Sequence, residues 1–215
     1  MKRDDSDIRN RIVEFCRLMY ERGYAPSRNG NVSALTDRDN ILITPSSSCI
    51  GFLEPNDIVE VDRDGVKLDG SHEPSLELPF HLAVYRSRED ARSVVHAHAP
   101  YISAFSVVGR VPSCDILPEF VVSVGKVGIV PFMMPGSRDL ADRVFEEVRE
   151  ANALVLSNHG AITHGTDVEH AYMRMEDLEN TARVQFFAER LGEIVHIGKK
   201  EIAILRSFEK GSGGK

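Results

Sequence analysis

The chain has 215 residues, of which 42% are hydrophobic and 27% charged, a composition typical of a globular protein. Its 33 acidic and 26 basic residues give a net charge of −7, which argues against nucleic acid as the main partner. No apolar run is long enough to span a membrane, and the N-terminus lacks the apolar core of a secretory signal. Three scattered cysteines favour a reducing compartment. We therefore expect a cytoplasmic protein without membrane or nucleic-acid partners.

Apolar periodicity predicts helices and strands that interleave along the chain. We expect a first helix from residue 5 or 6 that ends at Gly23, followed by strands at 32–35, 41–44 and 58–61 and a helix at 75–88. The middle of the chain predicts a strand at 93–96, a short helix from Pro100, a strand at 127–132 and a helix at 138–148. The last part predicts strands at 153–156 and 161–163 and helices at 168–191 and 199–208. This order predicts one α/β domain over residues 1–210, with helices packed on a central sheet. The Gly-rich residues 211–215 predict a flexible C-terminal tail.

Two histidines close the apolar strand predicted at 93–96. Residues two apart on a strand point to the same face, so His96 and His98 converge as a metal site requires. His159 lies in Asn158-His159-Gly160 between two apolar stretches, and it would supply a third ligand from a neighbouring strand. Three neutral imidazoles with an open position are typical of catalytic zinc. The plainer alternatives are a solvated strand end and a turn histidine.

Glu77 stands at the opening of the predicted helix 75–88. A carboxylate in the first helical turn is ordinary capping chemistry, so a functional role depends on its lying near the histidines. His81 follows four residues later. We interpret His81 as a residue of the helix surface, and a supporting position beside the metal is the alternative.

Two polar loops are candidates for anion binding. Residues 27–33 contain Asn29-Gly30, which favours a positive φ and presents backbone N–H groups to an anion. Residues 44–48 offer a cluster of hydroxyl groups. Either segment is equally an ordinary loop when it is considered alone.

Five segments of the chain occur in an order that is specific as a set: residues 29–33, 42–46, 74–85, 94–98 and 158–160. The set resembles the class II aldolase/adducin family, most closely its L-fuculose-1-phosphate aldolase-like branch, over about residues 8–190. The resemblance implies an α/β fold of the α+β type, a single three-layer domain whose central, largely antiparallel sheet carries helices on both faces. It also implies a homotetramer with active sites at subunit interfaces.

The resemblance further implies a site for a divalent metal, usually zinc. The matching metal ligands are His96, His98 and His159, and Glu77 matches the catalytic carboxylate. Glu77 would ligate the metal in the empty site and act as general base once substrate displaces it. The positions that match the family's phosphate contacts are Gly30, Asn31, Ser46, Ser47, Ser75 and position 76.

Several residues depart from the family pattern. Leu76 replaces a second serine, and Ser47 replaces a glycine. Arg28 and Asn29 replace small residues, and Arg28 would bind either phosphate or a carboxylate. The tyrosine that serves as general acid in the aldolases is absent after the histidine pair, and Glu119 is the candidate in its place, with an ordinary surface loop as the alternative.

The pattern favours a zinc-dependent lyase that cleaves a phosphorylated ketose, similar to L-fuculose 1-phosphate, by a retro-aldol reaction through an enediolate. Decarboxylation or dehydration of a sugar-acid phosphate at the same site is the first alternative, and epimerisation is the second. A non-catalytic, adducin-like interaction module is the alternative of another class. Three converging metal ligands argue against that module.

Overall fold

The structure is a computed structural model that describes residues 5–212, with side chains described as far as Ser207. The helices are α1 (Asp5–Glu21), α2 (Leu78–Ser87), α3 (Pro100–Val107), α4 (Pro118–Ser123), α5 (Arg138–Glu147), α6 (Val168–Leu191) and α7 (Lys199–Ser212). The strands are β1 (Asn31–Leu35), β2 (Ile41–Ile43), β3 (Val59–Val61), β4 (Lys67–Asp69), β5 (Ser93–Ala97), β6 (Val127–Val130), β7 (Ala153–Leu156) and β8 (Gly160–Gly165). None of the described helices is long and apolar enough to cross a membrane.

The eight strands form one sheet in the order β4-β3-β2-β1-β5-β8-β7-β6. Every neighbouring pair is antiparallel except β6 and β7, which are parallel. Central β5 pairs with β1 on one side and β8 on the other, so His96 lies opposite Asn31 and also opposite Ile162. The predicted, largely antiparallel central sheet is confirmed, and its register brings three segments of the sequence pattern side by side.

Helices cover both faces of the sheet. On one face, α1, α3 and α6 share a core that includes Ile12, Phe105 and Met175. On the other, α2 and α5 share a core that includes Phe80 and Val144. Because the central strands are buried on both faces, they are almost continuously apolar instead of alternating. The predicted three-layer arrangement is therefore confirmed.

Several predicted boundaries differ from the structure. The helix predicted at 75–88 begins only at Leu78, because Pro74 and Ser75 are held in extended conformation against residues 44 and 45. Strand β4, which is fully exposed, and the six-residue α4 were not predicted, since neither carries a clear apolar period. Helix α7 continues to Ser212 and so includes the first two residues of the predicted tail. Residues 213–215 of that tail lie outside the described part of the chain.

Candidate active site

Three histidines meet at one end of the sheet. His96 is on β5, His98 follows one residue after that strand, and His159 occupies the tight turn between β7 and β8. Their ring centroids are 4.8 Å apart in every pair. The Nε2 atoms of His96 and His98 are 2.9 Å apart, and the candidate donor atoms of all three residues lie within 4.8 Å of one another. The structure thus brings together the three histidines that the sequence predicts as ligands.

Glycines allow the backbone to approach the cluster closely. A Cβ on Gly160 would lie 2.4 Å from the carbonyl oxygen of Ala97 and 3.2 Å from Cδ2 of His98. A Cβ on Gly30, whose φ is +78°, would lie 3.0 Å from the carbonyl oxygen of His96. Any larger residue would push the strands or the loop away from the imidazoles. The glycines therefore act through backbone packing that positions the histidines.

Glu77, the N-cap residue of α2, lies against the histidines. Its Oε2 is 3.2 Å from Nε2 of His96, and its Oε1 is 3.2 Å from Nε2 of His159. Oε2 also accepts a hydrogen bond of 2.8 Å from Nδ2 of Asn31. Burial alone would raise the pKa of Glu77, but His96, His159 and the Asn31 bond outweigh it and hold that pKa well below its usual range. Glu77 is therefore ionised at neutral pH.

Burial favours the neutral form of His96 and His98, which is the form that binds a metal. Burial lowers the pKa of His96, and burial together with the neighbouring histidines lowers the pKa of His98 to about 3. Both rings are thus neutral at pH 7, and neutral imidazole is the ligating form. Nδ1 of His96 lies 3.0 Å from the carbonyl oxygen of Ala161, which holds the proton on Nδ1 and leaves Nε2 free to ligate.

The donor set fits a divalent metal. It consists of three imidazole nitrogens and one carboxylate, a combination that suits tetrahedral zinc. Apart from Nε2 of His159 at 3.2 Å, the buried Oε1 atom of Glu77 has no polar partner among the described residues, as expected for an oxygen placed to meet a cation beside that imidazole. A bound metal would be held by His96, His98 and His159, with Glu77 as the fourth ligand.

A cleft of about 410 Å³ opens beside this cluster. It collects residues from three loops that are far apart in the sequence, and most of them are predicted phosphate contacts: Arg28, Asn29, Gly30, Asn31, Ser46, Ser47 and Ser75. Leu76 and Pro135 form an apolar part of the same wall. Ser47 has a φ of +58°, the left-handed conformation that favours glycine. The loop therefore keeps a glycine-like backbone at the position where the family has glycine.

Two predicted site residues are placed differently from expectation. The side-chain amide of Asn31, a predicted phosphate ligand, joins Glu77 to His81, and its contact with phosphate stays a prediction. Glu119 lies in the first turn of α4 and not in a loop. It is exposed and lies near Asp177 on α6, away from the cleft of its own chain. Its entry into the site of another subunit stays a prediction.

The sequence interpretation missed His81. It was expected on the helix surface, but it is fully buried and contacts Asn31 and Ser33. The signal was present in the sequence, since His81 and Tyr85 follow Glu77 at intervals of four residues in an otherwise apolar helix. That interval places all three on one face of α2.

The chain belongs to the class II aldolase and adducin family, because the family model for the class II aldolase and adducin N-terminal domain matches residues 10–186. It is 34% identical to the 3-oxo-tetronate 4-phosphate decarboxylase of Escherichia coli K12 over 94% of this chain and 97% of the relative. It is 35% identical to an L-fuculose phosphate aldolase of Methanococcus maripaludis over 85% of this chain and 97% of the relative.

Solved structures agree with this assignment. Escherichia coli YgbL, described as a putative aldolase/epimerase/decarboxylase, superposes with a TM-score of 0.88 at 33% identity, covering 94% of this chain and 99% of that chain. An L-fuculose 1-phosphate aldolase superposes with the same TM-score at 24% identity, covering 97% and 98% of the two chains. The protein is therefore an enzyme of the class II aldolase superfamily, and the family is generally dependent on a divalent metal.

Proposed function

We propose that this enzyme decarboxylates a phosphorylated 3-oxo sugar acid of the 3-oxo-tetronate 4-phosphate type, with zinc held by the three histidines. We further propose a cytoplasmic homotetramer whose active sites lie at subunit interfaces. The sequence pattern favoured retro-aldol cleavage and held decarboxylation as the alternative. The residues that line the cleft favour decarboxylation over retro-aldol cleavage. The similarity to the Escherichia coli decarboxylase also extends over nearly the whole of both chains.

The observation that carries the proposal is the small number of acid–base groups that this chain itself supplies to the cleft. Among the described residues that line it, Glu77 is the only carboxylate, and the remaining ionisable side chains are Arg28 and the proposed ligands His98 and His159. Retro-aldol cleavage needs two proton transfers, one from the hydroxyl that becomes the aldehyde and one to the enediolate carbon. Decarboxylation needs only the second transfer. One carboxylate therefore suffices for decarboxylation.

Decarboxylation can be written as a balanced reaction with Glu77 as its proton-transfer group. The bond between the carboxylate carbon and C2 breaks, carbon dioxide leaves, and the electron pair remains on C2, C3 and the C3 oxygen as an enediolate. A bound divalent metal supplies Lewis-acid stabilisation of that negative charge. Glu77 delivers to C2 a proton taken from solvent, which completes a hydroxymethyl ketone phosphate. The net reaction consumes one proton and releases one carbon dioxide.

The cleft also offers suitable groups for both ends of such a substrate. Ser46, Ser47 and Ser75 present hydroxyl groups to the phosphate, and Gly30 lies in the same wall. Arg28 is exposed at the cleft and supplies its positive charge. A guanidinium binds a carboxylate or a phosphate by paired, charge-assisted hydrogen bonds, so Arg28 suits a doubly anionic substrate.

Retro-aldol cleavage of a ketose 1-phosphate is the second candidate. It is favoured by the 35% identity to the Methanococcus maripaludis aldolase. It requires a second proton-transfer group, and Glu119 of a neighbouring subunit is the residue that we propose for that role. A non-catalytic adducin-like role is disfavoured, because an interaction module has no need of a buried carboxylate held against three converging imidazoles.

The test is a product analysis of the metal-loaded enzyme with 3-oxo-tetronate 4-phosphate and, in parallel, with L-fuculose 1-phosphate. We expect carbon dioxide and dihydroxyacetone phosphate in equal amounts from the acid, with a higher kcat/KM than for the ketose. Free metal and the Glu77→Gln variant are the controls for spontaneous decarboxylation. Release of an aldehyde and triose phosphate from the ketose, with no catalysed release of carbon dioxide from the acid, would assign the enzyme as an aldolase.

A further inference from the structure

A chain of buried hydrogen bonds extends from Glu77 away from the cleft. Nδ2 of Asn31 donates to Oε2 of Glu77 at 2.8 Å, and Oδ1 of Asn31 lies 2.5 Å from Nε2 of His81. Nδ1 of His81 lies 2.7 Å from Oγ of Ser33, which lies 2.6 Å from the hydroxyl of Tyr85. Asn31, Ser33, His81 and Tyr85 are all buried, and His81 is completely so. We call these four residues the Glu77 relay.

The relay forms because four residues of helix rise nearly as far as two residues of strand. Glu77, His81 and Tyr85 are spaced by four residues, and four residues of helix rise about 6 Å. Asn31 and Ser33 are spaced by two residues on β1, and two residues of strand rise about 7 Å. The polar groups of α2 and β1 therefore alternate along the contact between the two elements.

The direction of the donors is fixed from the Glu77 end. Nδ2 of Asn31 donates to the carboxylate oxygen of Glu77, so Oδ1 of Asn31 faces His81. Nε2 of His81 consequently carries the proton. Burial lowers the pKa of His81 to about 3, so the ring is neutral and its Nδ1 accepts from the hydroxyl of Ser33. The oxygen of Ser33 then accepts from Tyr85.

Apolar packing isolates this arrangement from water. The ring of Phe80 stacks on His81 with centroids 4.8 Å apart and meets the edge of His96 at 5.3 Å. In a dry environment, a buried polar group without a partner is costly, so each member of the relay has one stable orientation. The relay in turn orients the carboxylate of Glu77, which is hydrogen-bonded to Asn31.

We propose that His81 is a positioning residue for the reaction: it fixes the amide of Asn31, and through it the carboxylate of Glu77 against the metal site. The role in turnover rests on the proposed function, whereas the effect on metal binding rests only on the geometry. His81 does not line the cleft and is not one of the three clustered histidines. It determines where the Glu77 oxygens lie.

The test compares two substitutions of His81 by two readouts, zinc affinity in competition with a chelator and steady-state kinetics. His81→Phe keeps a buried ring but leaves Oδ1 of Asn31 without a donor. We expect it to weaken zinc binding about tenfold and to lower kcat between about tenfold and a hundredfold, with KM nearly unchanged. In His81→Gln the amide N–H reaches the same oxygen, so we expect most of both losses to be restored.

His164→Phe is the matched control for a purely structural effect. His164 is also a buried histidine, on β8, and its Nε2 lies 3.3 Å from the carbonyl oxygen of Ala151 and away from the cleft. We expect it to lower the melting temperature without changing zinc affinity or kcat. Unchanged zinc affinity in His81→Phe would overturn the proposal. Losses of zinc affinity and kcat in His164→Phe equal to those in His81→Phe would also overturn it. A His81→Gln variant that recovers neither zinc affinity nor kcat would do the same.

The two proposals fail in different ways. If the wild-type enzyme turns over neither substrate, the proposed function fails, but the zinc affinities still decide the role of His81. If the wild-type enzyme is active and the His81 variants bind zinc like wild type, the relay proposal alone fails.

Discussion

Glu77→Gln is expected to lower kcat by at least about 100-fold, the usual loss when a general acid–base group is removed. Glutamine keeps the shape of the side chain, and its oxygen still accepts from Nδ2 of Asn31, so the fold should be retained. The amide cannot carry the proton to the enediolate carbon. Steady-state kinetics with a circular-dichroism melt measures both effects.

Glu73→Gln is the matched control for this substitution. Glu73 lies four residues earlier, is largely exposed, and pairs with Lys67 at 3.0 Å outside the cleft. The same loss of one negative charge there should leave kcat unchanged. Activity of Glu77→Gln close to that of Glu73→Gln would reduce Glu77 to a residue of the helix start.

The second large effect is expected on metal binding. The enzyme purified without chelator should contain about one zinc per chain, because three imidazoles and a carboxylate converge on one point. In His98→Ala one of the three nitrogens is lost, and we expect retained zinc to fall below about a tenth of an equivalent. Elemental analysis of the purified variants measures the change.

His72→Ala provides the comparison for His98→Ala. His72 is exposed, lies 3.3 Å from Asp57 and is not a member of the cluster, so this variant should keep a full equivalent of metal. Wild-type protein that holds almost no metal, and recovers none when metal is added, would refute the metal site. Equal metal in His98→Ala and wild type would exclude His98 as a ligand.

The sequence predicted the cluster because its geometry is largely local. Alternation along a strand places His96 and His98 on one face, and the hairpin around residues 158–160 returns beside that strand. The pairing of β5 with β8 is a long-range feature, and the ordered motif pattern supplied it. The prediction that these three histidines are ligands therefore followed from strand periodicity combined with the family resemblance.

The four-residue spacing of Glu77, His81 and Tyr85 is visible in the sequence, but it does not predict the relay. The relay and the position of Glu119 both depend on how elements dock. His81 is buried only because α2 lies along β1 with Asn31 and Ser33 facing it, which no local pattern states. Glu119 belongs to the six-residue α4, and the packing of α4 beside α6 turns it towards Asp177. The number of residues between His98 and Glu119 does not predict which way the Glu119 side chain faces.

Aldol cleavage and decarboxylation share one half-reaction, the transfer of a proton between an acid–base group and the carbon of an enediolate. We propose that Glu77 performs this transfer beside a metal held by the three histidines. It is independent of which bond the enzyme breaks in its substrate. An experiment on that half-reaction therefore tests the site itself.

The most direct measurement is deuterium exchange into dihydroxyacetone phosphate in D2O, followed by proton NMR. The zinc-loaded enzyme should replace one hydrogen of the hydroxymethyl carbon stereospecifically, because Glu77 reaches the carbon from one side only. The metal-free enzyme and Glu77→Gln should show no exchange above the uncatalysed rate. Absence of exchange in the zinc-loaded wild type, or equal exchange in Glu77→Gln, would contradict the account.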